Sequence, residues 1–188
     1  MDQQIRQWQS RLEQVSSSVK EEFGGLDASQ LNWKPSEDTW SIGQNLDHLI
    51  TLNRTYFPML KALQTGKPSL PWTAKFKPLR KLFGKMILKS VLPDRKRKIK
   101  TFVVWEPTQS SLPETIVNQF LDHQIEVWQR LEEVVPMLGS GKAIPSPASS
   151  VIVYNLEDFF EIVITHEERH LNQAREVFAL HQQQNILA

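Results

Sequence analysis

The sequence predicts an all-α protein that folds as a four-helix bundle. Four segments carry apolar residues at intervals of three and four, the spacing that places side chains on one face of an α-helix. No segment alternates apolar and polar residues for long enough to predict a sheet. The connections over residues 24–40 and 66–110 are long for a bundle whose helices alternate up and down. We expect a single domain over residues 1–188, in which residues 66–110 form an insertion.

The first helix is expected over residues 2–23, where an apolar stripe comprises Ile5, Trp8, Leu12, Val15, Val19 and Phe23. Gly24-Gly25 ends it, because glycine readily adopts the left-handed conformation found at helix C-termini. The irregular connection that follows carries Trp33 and Trp40. We expect both tryptophans to close one end of the bundle. The alternative for Trp40, which precedes the second helix directly, is a wall of a substrate pocket.

The second helix is expected to begin at Ser41, because Ser41 and Gln44 fit a capping box. Its buried side comprises Leu46, Leu49, Leu52, Tyr56, Leu60 and Leu63. Pro58 lacks the backbone N–H of the helical ladder and predicts a kink, and Thr65-Gly66 predicts the end. His48 lies at the edge of the stripe. Taken alone, a histidine at such a position is more often a hydrogen-bonded core residue than a metal ligand.

Half of the basic residues of the chain lie in one segment, residues 75–100. This segment holds 11 of the 22 lysines and arginines and one acidic residue, so its net charge is +10, whereas the remainder carries −9. A short amphipathic helix is expected over residues 78–92, with Lys81, Lys85 and Lys89 on its polar side. Its apolar side comprises Leu79, Leu82, Phe83, Met86, Ile87 and Val91. A basic run over residues 95–100 and an extended strap over residues 101–105 follow.

Three interpretations of residues 75–100 remain open. The first, which we expect, is a solvated cover packed over the bundle. The second is contact with an anionic membrane, since basic amphipathic helices bind membrane surfaces. The third is a nucleic-acid contact through the lysines and arginines. Neither a membrane nor a nucleic acid is the expected partner.

The third and fourth bundle helices follow the insertion. The third is expected from about Ser111, where Ser111 and Glu114 fit a second capping box, to Leu138. Residues 139–154 are rich in glycine, serine and proline and are expected to form a loop. The fourth helix is expected to run from an Asn155 cap to beyond His170. Its apolar face comprises Leu156, Phe160, Val163, Ala174 and Val177.

Two histidines of the fourth helix, His166 and His170, predict a metal site. They are four residues apart, so both imidazoles lie on one face of the helix and can bind one ion. A third ligand must come from another helix, and His48 and His123 are the candidates, because His181 lies three turns beyond His170. Three histidine ligands leave coordination positions open for water or substrate. A metal held there can lower the pKa of a bound water or hold a thiolate as nucleophile.

The run from His166 to His170 also spells H-E-x-x-H, the motif of zinc peptidases in which the glutamate is the general base. We set the peptidase aside because no sheet precedes this helix to form a substrate cleft. Glu167 remains the candidate catalytic residue. Glu168, Asp47 and Gln173 are further candidates for supporting the ligands or for acting as a base.

Composition excludes several classes of site. The chain has no cysteine, so it offers no disulfide, thiolate metal site or cysteine nucleophile. No apolar run is long enough to cross a bilayer. The polar start, Met1 to Gln4, lacks the apolar core of a signal peptide. We expect a cytoplasmic protein.

Two motifs about 120 residues apart resemble those of the DinB/YfiT-like superfamily of proposed metalloenzymes. One is Trp40-Ser-Ile-Gly-Gln-Asn-Leu-Asp-His48-Leu49, preceded by Leu31-Asn-Trp-Lys-Pro35, and the other is His166-Glu-Glu-Arg-His-Leu-Asn-Gln173. The resemblance extends over nearly the whole chain and includes the basic insertion. It implies a four-helix bundle with crossed connections. It also implies a divalent metal ion, for which zinc or nickel is expected, bound by His48, His166 and His170.

The same resemblance implies a function. Known activities in the superfamily include thiol-dependent S-transferases that use bacillithiol, mycothiol or glutathione, and an isomerase acting on maleylpyruvate. We therefore expect a metal-dependent enzyme acting on a small molecule, of the thiol S-transferase or hydrolase type. A low-molecular-weight thiol is a possible co-substrate, and a homodimer is expected. The alternatives are a stress-related bundle that binds metal without turnover, and core histidines that bind no metal.

Overall fold

The structure, a computed structural model, describes residues 2–94 and 101–187. Its helices are α1 Asp2–Phe23, α2 Ala28–Asn32, α3 Ile42–Gln64, α4 Lys77–Ser90, α5 Ile116–Glu132 and α6 Leu156–Leu187. Short 3-10 turns cover Trp72–Lys75, Val103–Trp105 and Val135–Met137. Two three-residue strands, β1 Ala143–Pro145 and β2 Val153–Asn155, pair antiparallel with Ile144 opposite Tyr154. The all-α prediction is confirmed.

The four long helices form a bundle with crossed connections. Both α1 and α3 pack against α5 and α6, so α1 lies diagonal to α3 and α5 lies diagonal to α6. Helices α1 and α6 run parallel, whereas α3 runs antiparallel to α6 and parallel to α5. The directions are therefore up, down, down and up. Because α3 and α5 run the same way, the chain must travel back along the bundle between them, and residues 65–115 do so.

The bundle core consists of two apolar clusters separated by a polar layer. One cluster holds the first half of α1 and α6 and the second half of α3 and α5; the other holds the opposite halves. Polar residues interrupt the apolar positions where the clusters meet. The buried ones are His48, Asn53, His123, Gln124, Glu167 and His170. Burying polar groups at the middle of a bundle is costly unless they find partners, so this layer is where a functional site is expected.

The helix starts were predicted with mixed success. The Ser41 capping box is confirmed: the Gln44 N–H donates to Ser41 Oγ at 3.1 Å, and the Ser41 N–H donates to Gln44 Oε1 at 3.2 Å. The second capping box was wrong, since α5 begins at Ile116 and its Thr115 N-cap makes no side-chain bond. Asn32 instead holds this segment by exchanging two hydrogen bonds with the Leu112 backbone, at 2.7 and 2.8 Å.

Three other boundaries differ from the predictions. The third bundle helix ends at Glu132 instead of Leu138 and continues as a 3-10 turn. The expected loop over residues 139–154 contains β1 and β2. The connection before α3 contains α2, which begins with a capping box formed by Asp27 and Gln30. These elements are too short to show apolar periodicity, which explains why the sequence pattern missed them.

Helix α4 covers the bundle, but only part of the apolar face predicted from its sequence packs against the core. Its buried residues are Arg80 and Gly84, and Ile87, Leu88 and Val91 pack against the core. Leu82 and Met86, expected to face the bundle, are exposed. Arg80 Nη1 donates to the Gly141 carbonyl at 2.9 Å, which ties α4 to the turn before β1. The basic run predicted over residues 95–100 lies outside the described residues. Within residues 2–94 and 101–187, no helix is long and apolar enough to cross a bilayer.

Gly84 determines how closely α4 approaches α6. A Cβ atom at this position would lie 2.7 Å from Asp158 Oδ2 and 3.0 Å from Asp158 Cβ. We predict that Gly84→Val lowers the free energy of unfolding by about 1–3 kcal/mol, because the added side chain must push the helices apart. Urea unfolding followed by circular dichroism measures the change. The matched control is Gly25→Val, because a Cβ there meets no atom within 4 Å. Equal losses in the two variants would contradict the proposed packing constraint.

Candidate metal centre

The structure brings His48 of α3 together with His166 and His170 of α6. One ring nitrogen from each residue lies within 4.8 Å of the other two. The ring centroids are 4.5 Å apart for His48 and His170, 4.5 Å for His166 and His170, and 5.2 Å for His48 and His166. The antiparallel packing of α3 on α6 produces this arrangement, since it sets the first half of α3 beside the middle of α6.

Hydrogen bonds fix the tautomers of two of these histidines. The Nδ1 atom of His48 lies 2.5 Å from the Trp105 carbonyl oxygen, which can only accept, so Nδ1 carries the proton. The Nδ1 atom of His170 lies 2.8 Å from Asn45 Oδ1. The Asn45 amide is oriented by its own donation to the Ser41 carbonyl at 2.9 Å, so its oxygen faces His170. Both histidines therefore present an unprotonated Nε2 atom.

The unprotonated nitrogens fit a divalent metal ion. His48 Nε2 is buried and has no hydrogen-bond partner among the described residues. His170 Nε2 lies 3.1 Å from His166 Nε2. Two nitrogens bound to one tetrahedral zinc at about 2.0–2.1 Å would lie about 3.3 Å apart, so this pair is spaced as ligands of one ion. Imidazole donors without sulfur suit zinc or nickel. The proton on the outer nitrogen follows the common pattern of metal-binding histidines.

Burial keeps these imidazoles neutral. It lowers the pKa of His48 to about 4, against which the bond to the Trp105 carbonyl acts in the opposite direction. Burial also holds the pKa of His166 and of His170 well below the ordinary histidine value, and the neighbouring histidines and Arg169 lower both further. A neutral imidazole is the form that binds a metal ion. The three side chains are therefore ready for metal binding at neutral pH without first losing a proton.

The three histidines open onto a large cavity of about 1840 Å³ bounded by α3, α4, α6 and the strap between α4 and α5. Trp40 forms one wall, with its ring centroid 4.8 Å from that of His48 and 5.8 Å from that of His170. Trp40 therefore lines the cavity, which is the position that the pocket-wall alternative predicts. Trp33 lies elsewhere, packed against the second core cluster and against His181.

A pair of tyrosines, Tyr56 and Tyr154, also lines the cavity, and their hydroxyls hydrogen bond to each other. Burial raises the pKa of Tyr56 to about 12 and that of Tyr154 well above its usual value, so both hydroxyls keep their protons. Apolar side chains line the wall between them and the histidines: Leu52, Ile162 and Val163. The cavity therefore has a ligating part and a hydroxyl-bearing part joined by an apolar wall. Neither tyrosine was predicted as a site residue.

The segment over residues 101–112, which includes the strap predicted over residues 101–105, is bound to α3 beside the histidines. We use the name strap for this whole segment. Asp47 accepts hydrogen bonds from the Thr108 N–H at 2.5 Å and the Thr108 hydroxyl at 2.9 Å. The Trp105 indole donates to Thr55 Oγ1 at 3.0 Å. These bonds hold the Trp105 carbonyl against His48. Asp47, which was a candidate general base, thus positions the strap. No pattern in the sequence indicates Trp105, because its contact with His48 joins residues 57 positions apart.

Glu167, the candidate catalytic residue, lies on a different side of α6 from the cavity. It is fully buried, and its Oε1 accepts a hydrogen bond from Asn53 Nδ2 at 2.8 Å. Burial raises its pKa to about 7, while the neighbouring Gln124 and Asn53 side chains act in the opposite direction. Glu167 is not among the residues that line the cavity, whereas Gln173 is. Its catalytic role stays a prediction that this geometry does not support.

Glu168 has a structural partner on α1. Arg11 donates from Nε to Glu168 Oε1 and from Nη2 to Glu168 Oε2, both at 2.7 Å, and from Nη1 to Glu161 Oε1 at 2.6 Å. Both carboxylates raise the pKa of Arg11. These bonds hold α1 against the segment of α6 that carries the histidines. Glu168 therefore positions the helix and does not reach the cavity.

The other candidate third ligand, His123, is not part of the cluster. It is buried on α5 against Phe57, with a ring-centroid distance of 5.6 Å. Neither ring nitrogen has a hydrogen-bond partner among the described residues. Burial lowers its pKa to about 4, and Arg54 contributes in the same direction. Glu126 lies 3.7 Å from Nδ1, but a neutral imidazole makes no ion pair with it.

Comparison with known proteins agrees with the two sequence motifs. A family model described as the DinB superfamily matches residues 11–174 of the chain. A protein of Bacillus subtilis (strain 168) described as "Uncharacterized protein YuaE" is 27% identical over 159 residues, covering 83% of this chain and 88% of that protein. No solved structure gives a significant match.

His123 makes a testable contribution to the pH dependence of folding. The pKa of His123 is about 4 in the folded chain, whereas an unperturbed histidine, as in the unfolded chain, has a pKa of 6.5. The unfolded chain therefore takes up the proton first as the pH falls. Protonation of His123 therefore does not reduce the free energy of unfolding above about pH 6.5. Below that pH the free energy of unfolding falls progressively towards pH 4. We predict that His123→Leu removes up to about 3 kcal/mol of this acid destabilisation.

Urea unfolding at neutral pH and near pH 4 measures this change. The matched control is Ile125→Leu, an exposed position of the same helix that carries no titratable group, and this variant is expected to keep the pH dependence of the wild type. If the His123→Leu variant loses as much stability on acidification as the wild type, the assignment of a buried neutral imidazole is wrong.

Proposed function

We propose that this chain, which belongs to the DinB superfamily, is a metal-dependent enzyme that acts on a small molecule, with His48, His166 and His170 as the metal ligands. The observation that carries the proposal is the convergence of buried imidazole nitrogens, two of them with fixed tautomers, at the wall of a large cavity. Zinc and nickel are the ions that we favour. Transfer to a low-molecular-weight thiol or hydrolysis is the proposed reaction type.

A divalent ion bound here would lower the pKa of a coordinated water or thiol and so supply a nucleophile at neutral pH. The chain itself supplies position and environment. Trp105 and Asn45 hold the imidazoles of His48 and His170 with their Nε2 atoms towards the site. Trp40 packs against both rings and shields that side of the site from water.

The cavity favours an enzyme over a bundle that binds metal without turnover. Three histidines do not complete a tetrahedral or octahedral shell, and the remaining positions face a cavity large enough for a substrate together with a small thiol. The Tyr56 and Tyr154 hydroxyls offer polar groups at which a substrate acceptor atom can bind. The homodimer and the cytoplasmic location are further proposals that no contact in the structure addresses.

Metal content tests the ligand assignment. We predict that protein purified after expression in zinc- or nickel-supplemented medium holds about one ion per chain. His48→Ala, His166→Ala and His170→Ala are each expected to lose most of this metal, whereas His123→Ala, which also removes a buried histidine, is expected to retain it.

Asn45→Ala should weaken the affinity for the metal by about 10–100-fold, because only the hydrogen bond that supports His170 is lost. Elemental analysis and competition with a chromogenic chelator measure both effects. Equal metal content in His48→Ala and wild type would contradict the site.

Turnover tests the enzyme assignment. We predict that metal-loaded protein accelerates either the consumption of a small thiol by an electrophilic acceptor or the hydrolysis of activated esters and amides. Chelation or His48→Ala should lower that rate by at least about 100-fold, and readdition of the metal should restore only the wild type. A metal-loaded protein that accelerates neither reaction class would favour the non-catalytic alternative. The ligand assignment would still stand in that case, because metal content is measured independently of turnover.

A further inference from the structure

Helix α4 and the turn before it expose large apolar side chains on the side that points away from the bundle. Leu82 is 60% exposed and Met86 is 48% exposed. At 3.6 residues per turn, these two lie on the opposite side of the helix from the buried row of Arg80, Gly84 and Ile87. Their exposure therefore follows from how α4 docks, through a small glycine contact, and not from a frayed helix end.

Two aromatic residues at the N-terminal end of α4 are exposed as well. Trp72 is 65% exposed and Phe76 is 54% exposed, and their rings meet edge to face at a centroid distance of 5.9 Å. Soluble proteins rarely leave several large apolar side chains exposed together without a binding partner. We use the name α4 face for this exposed surface. It comprises the apolar residues Trp72, Phe76, Leu82 and Met86 and the lysines Lys75, Lys77, Lys81 and Lys85.

Lysines flank the apolar residues. Lys75, Lys77, Lys81 and Lys85 are exposed, and Lys77, Lys81 and Lys85 follow one another at intervals of one helical turn. Within residues 2–94 and 101–187, none of the four forms an ion pair. The face therefore combines uncompensated positive charge with large apolar side chains.

We propose that the α4 face binds the surface of an anionic lipid membrane. Helices with lysines on one side and tryptophan, phenylalanine and leucine on the other lie in the plane of the lipid headgroups. The apolar side chains enter the boundary between headgroups and acyl chains, and each lysine near the surface gains from the negative surface potential. Charge complementarity identifies the occupant, because an anionic lipid surface accommodates both the apolar residues and the lysines.

Two other occupants fit less well. A second copy docked across a two-fold axis would place the same lysines against each other, since such an interface pairs one patch with itself. A nucleic acid would attract the lysines through its phosphates but would leave Leu82 and Met86 in water. The acidic body of the chain, which carries −9 outside residues 75–100, also opposes nonspecific binding to a polyanion through any other surface.

The α4 face borders the cavity. Met86 lines the cavity as well as the exposed surface, and so does Phe102 of the strap, which is 52% exposed. A membrane bound at α4 would therefore lie beside the opening of the candidate metal centre. The membrane proposal itself does not depend on the metal, because none of the residues of the α4 face is a proposed ligand.

Sedimentation of the full chain with lipid vesicles tests the proposal. We expect the protein to pellet with vesicles of phosphatidylcholine and phosphatidylglycerol in equal parts, and to remain in the supernatant with phosphatidylcholine alone. Added salt should weaken the binding, because it screens the lysines. Leu82→Ser with Met86→Ser, and separately Lys81→Gln with Lys85→Gln, should each reduce the partition coefficient by about tenfold or more.

Matched substitutions elsewhere serve as controls. Ile125→Ser removes an equally exposed apolar side chain from α5, and Lys20→Gln with Lys61→Gln removes two exposed lysines from α1 and α3. Both should bind vesicles like the wild type, and circular dichroism checks that all variants fold. Equal binding by α4 variants and controls, or no binding at low salt, would overturn the proposal. So would duplex DNA binding that is insensitive to Leu82→Ser with Met86→Ser, or a dimer in sedimentation equilibrium that these substitutions dissociate.

Discussion

The hydrogen bond from His48 Nδ1 to the Trp105 carbonyl links the candidate site to the topology of the bundle. Because α3 and α5 run parallel, the chain needs a long connection between them, and its last part crosses α3 beside His48. That strap supplies the carbonyl that accepts a hydrogen bond from the Nδ1–H of His48, so that Nε2 is left free to bind a metal. A simple up-and-down bundle would join these helices by a short turn and offer no such acceptor. The crossed topology is thus a condition for the site and not only a frame around it.

The polar layer of the bundle shows how the site is supported energetically. Buried imidazoles and a buried carboxylate cost free energy unless they are bonded or ligated. Asn45, Asn53 and Trp105 satisfy part of this requirement. His48 Nε2 has no partner among the described residues, so the fold leaves this nitrogen free for a ligand. The apolar clusters on both sides supply the stability that allows this layer to remain incompletely bonded.

The sequence predicts the elements of the site better than their arrangement. Apolar stripes locate the long helices, and the spacing of His166 and His170 places both on one face of α6. Hydrophobic periodicity does not distinguish His48 from His123 as the third ligand, since each lies beside an apolar stripe. Only the rotation of α3 and α5 within the bundle determines which of the two faces His166 and His170. The resemblance to the superfamily identified His48, whereas Trp105 and the tyrosine pair depend on contacts between distant segments. Glu167 was singled out by a motif, but the cavity lies on another side of the helix.

Helix α4 shows why amphipathicity alone does not give orientation. Its apolar positions predict one buried face, yet the helix docks through Gly84 and Arg80 and through only part of that face, and it leaves Leu82 and Met86 exposed. Close approach to α6 requires a residue without a side chain, and the arginine reaches a backbone carbonyl that an apolar residue would leave unbonded. The apolar residues left outside are then available for a partner. Hydrophobic periodicity therefore predicts how much apolar surface a helix can bury. The small and hydrogen-bonding residues determine which face of the helix packs against the bundle.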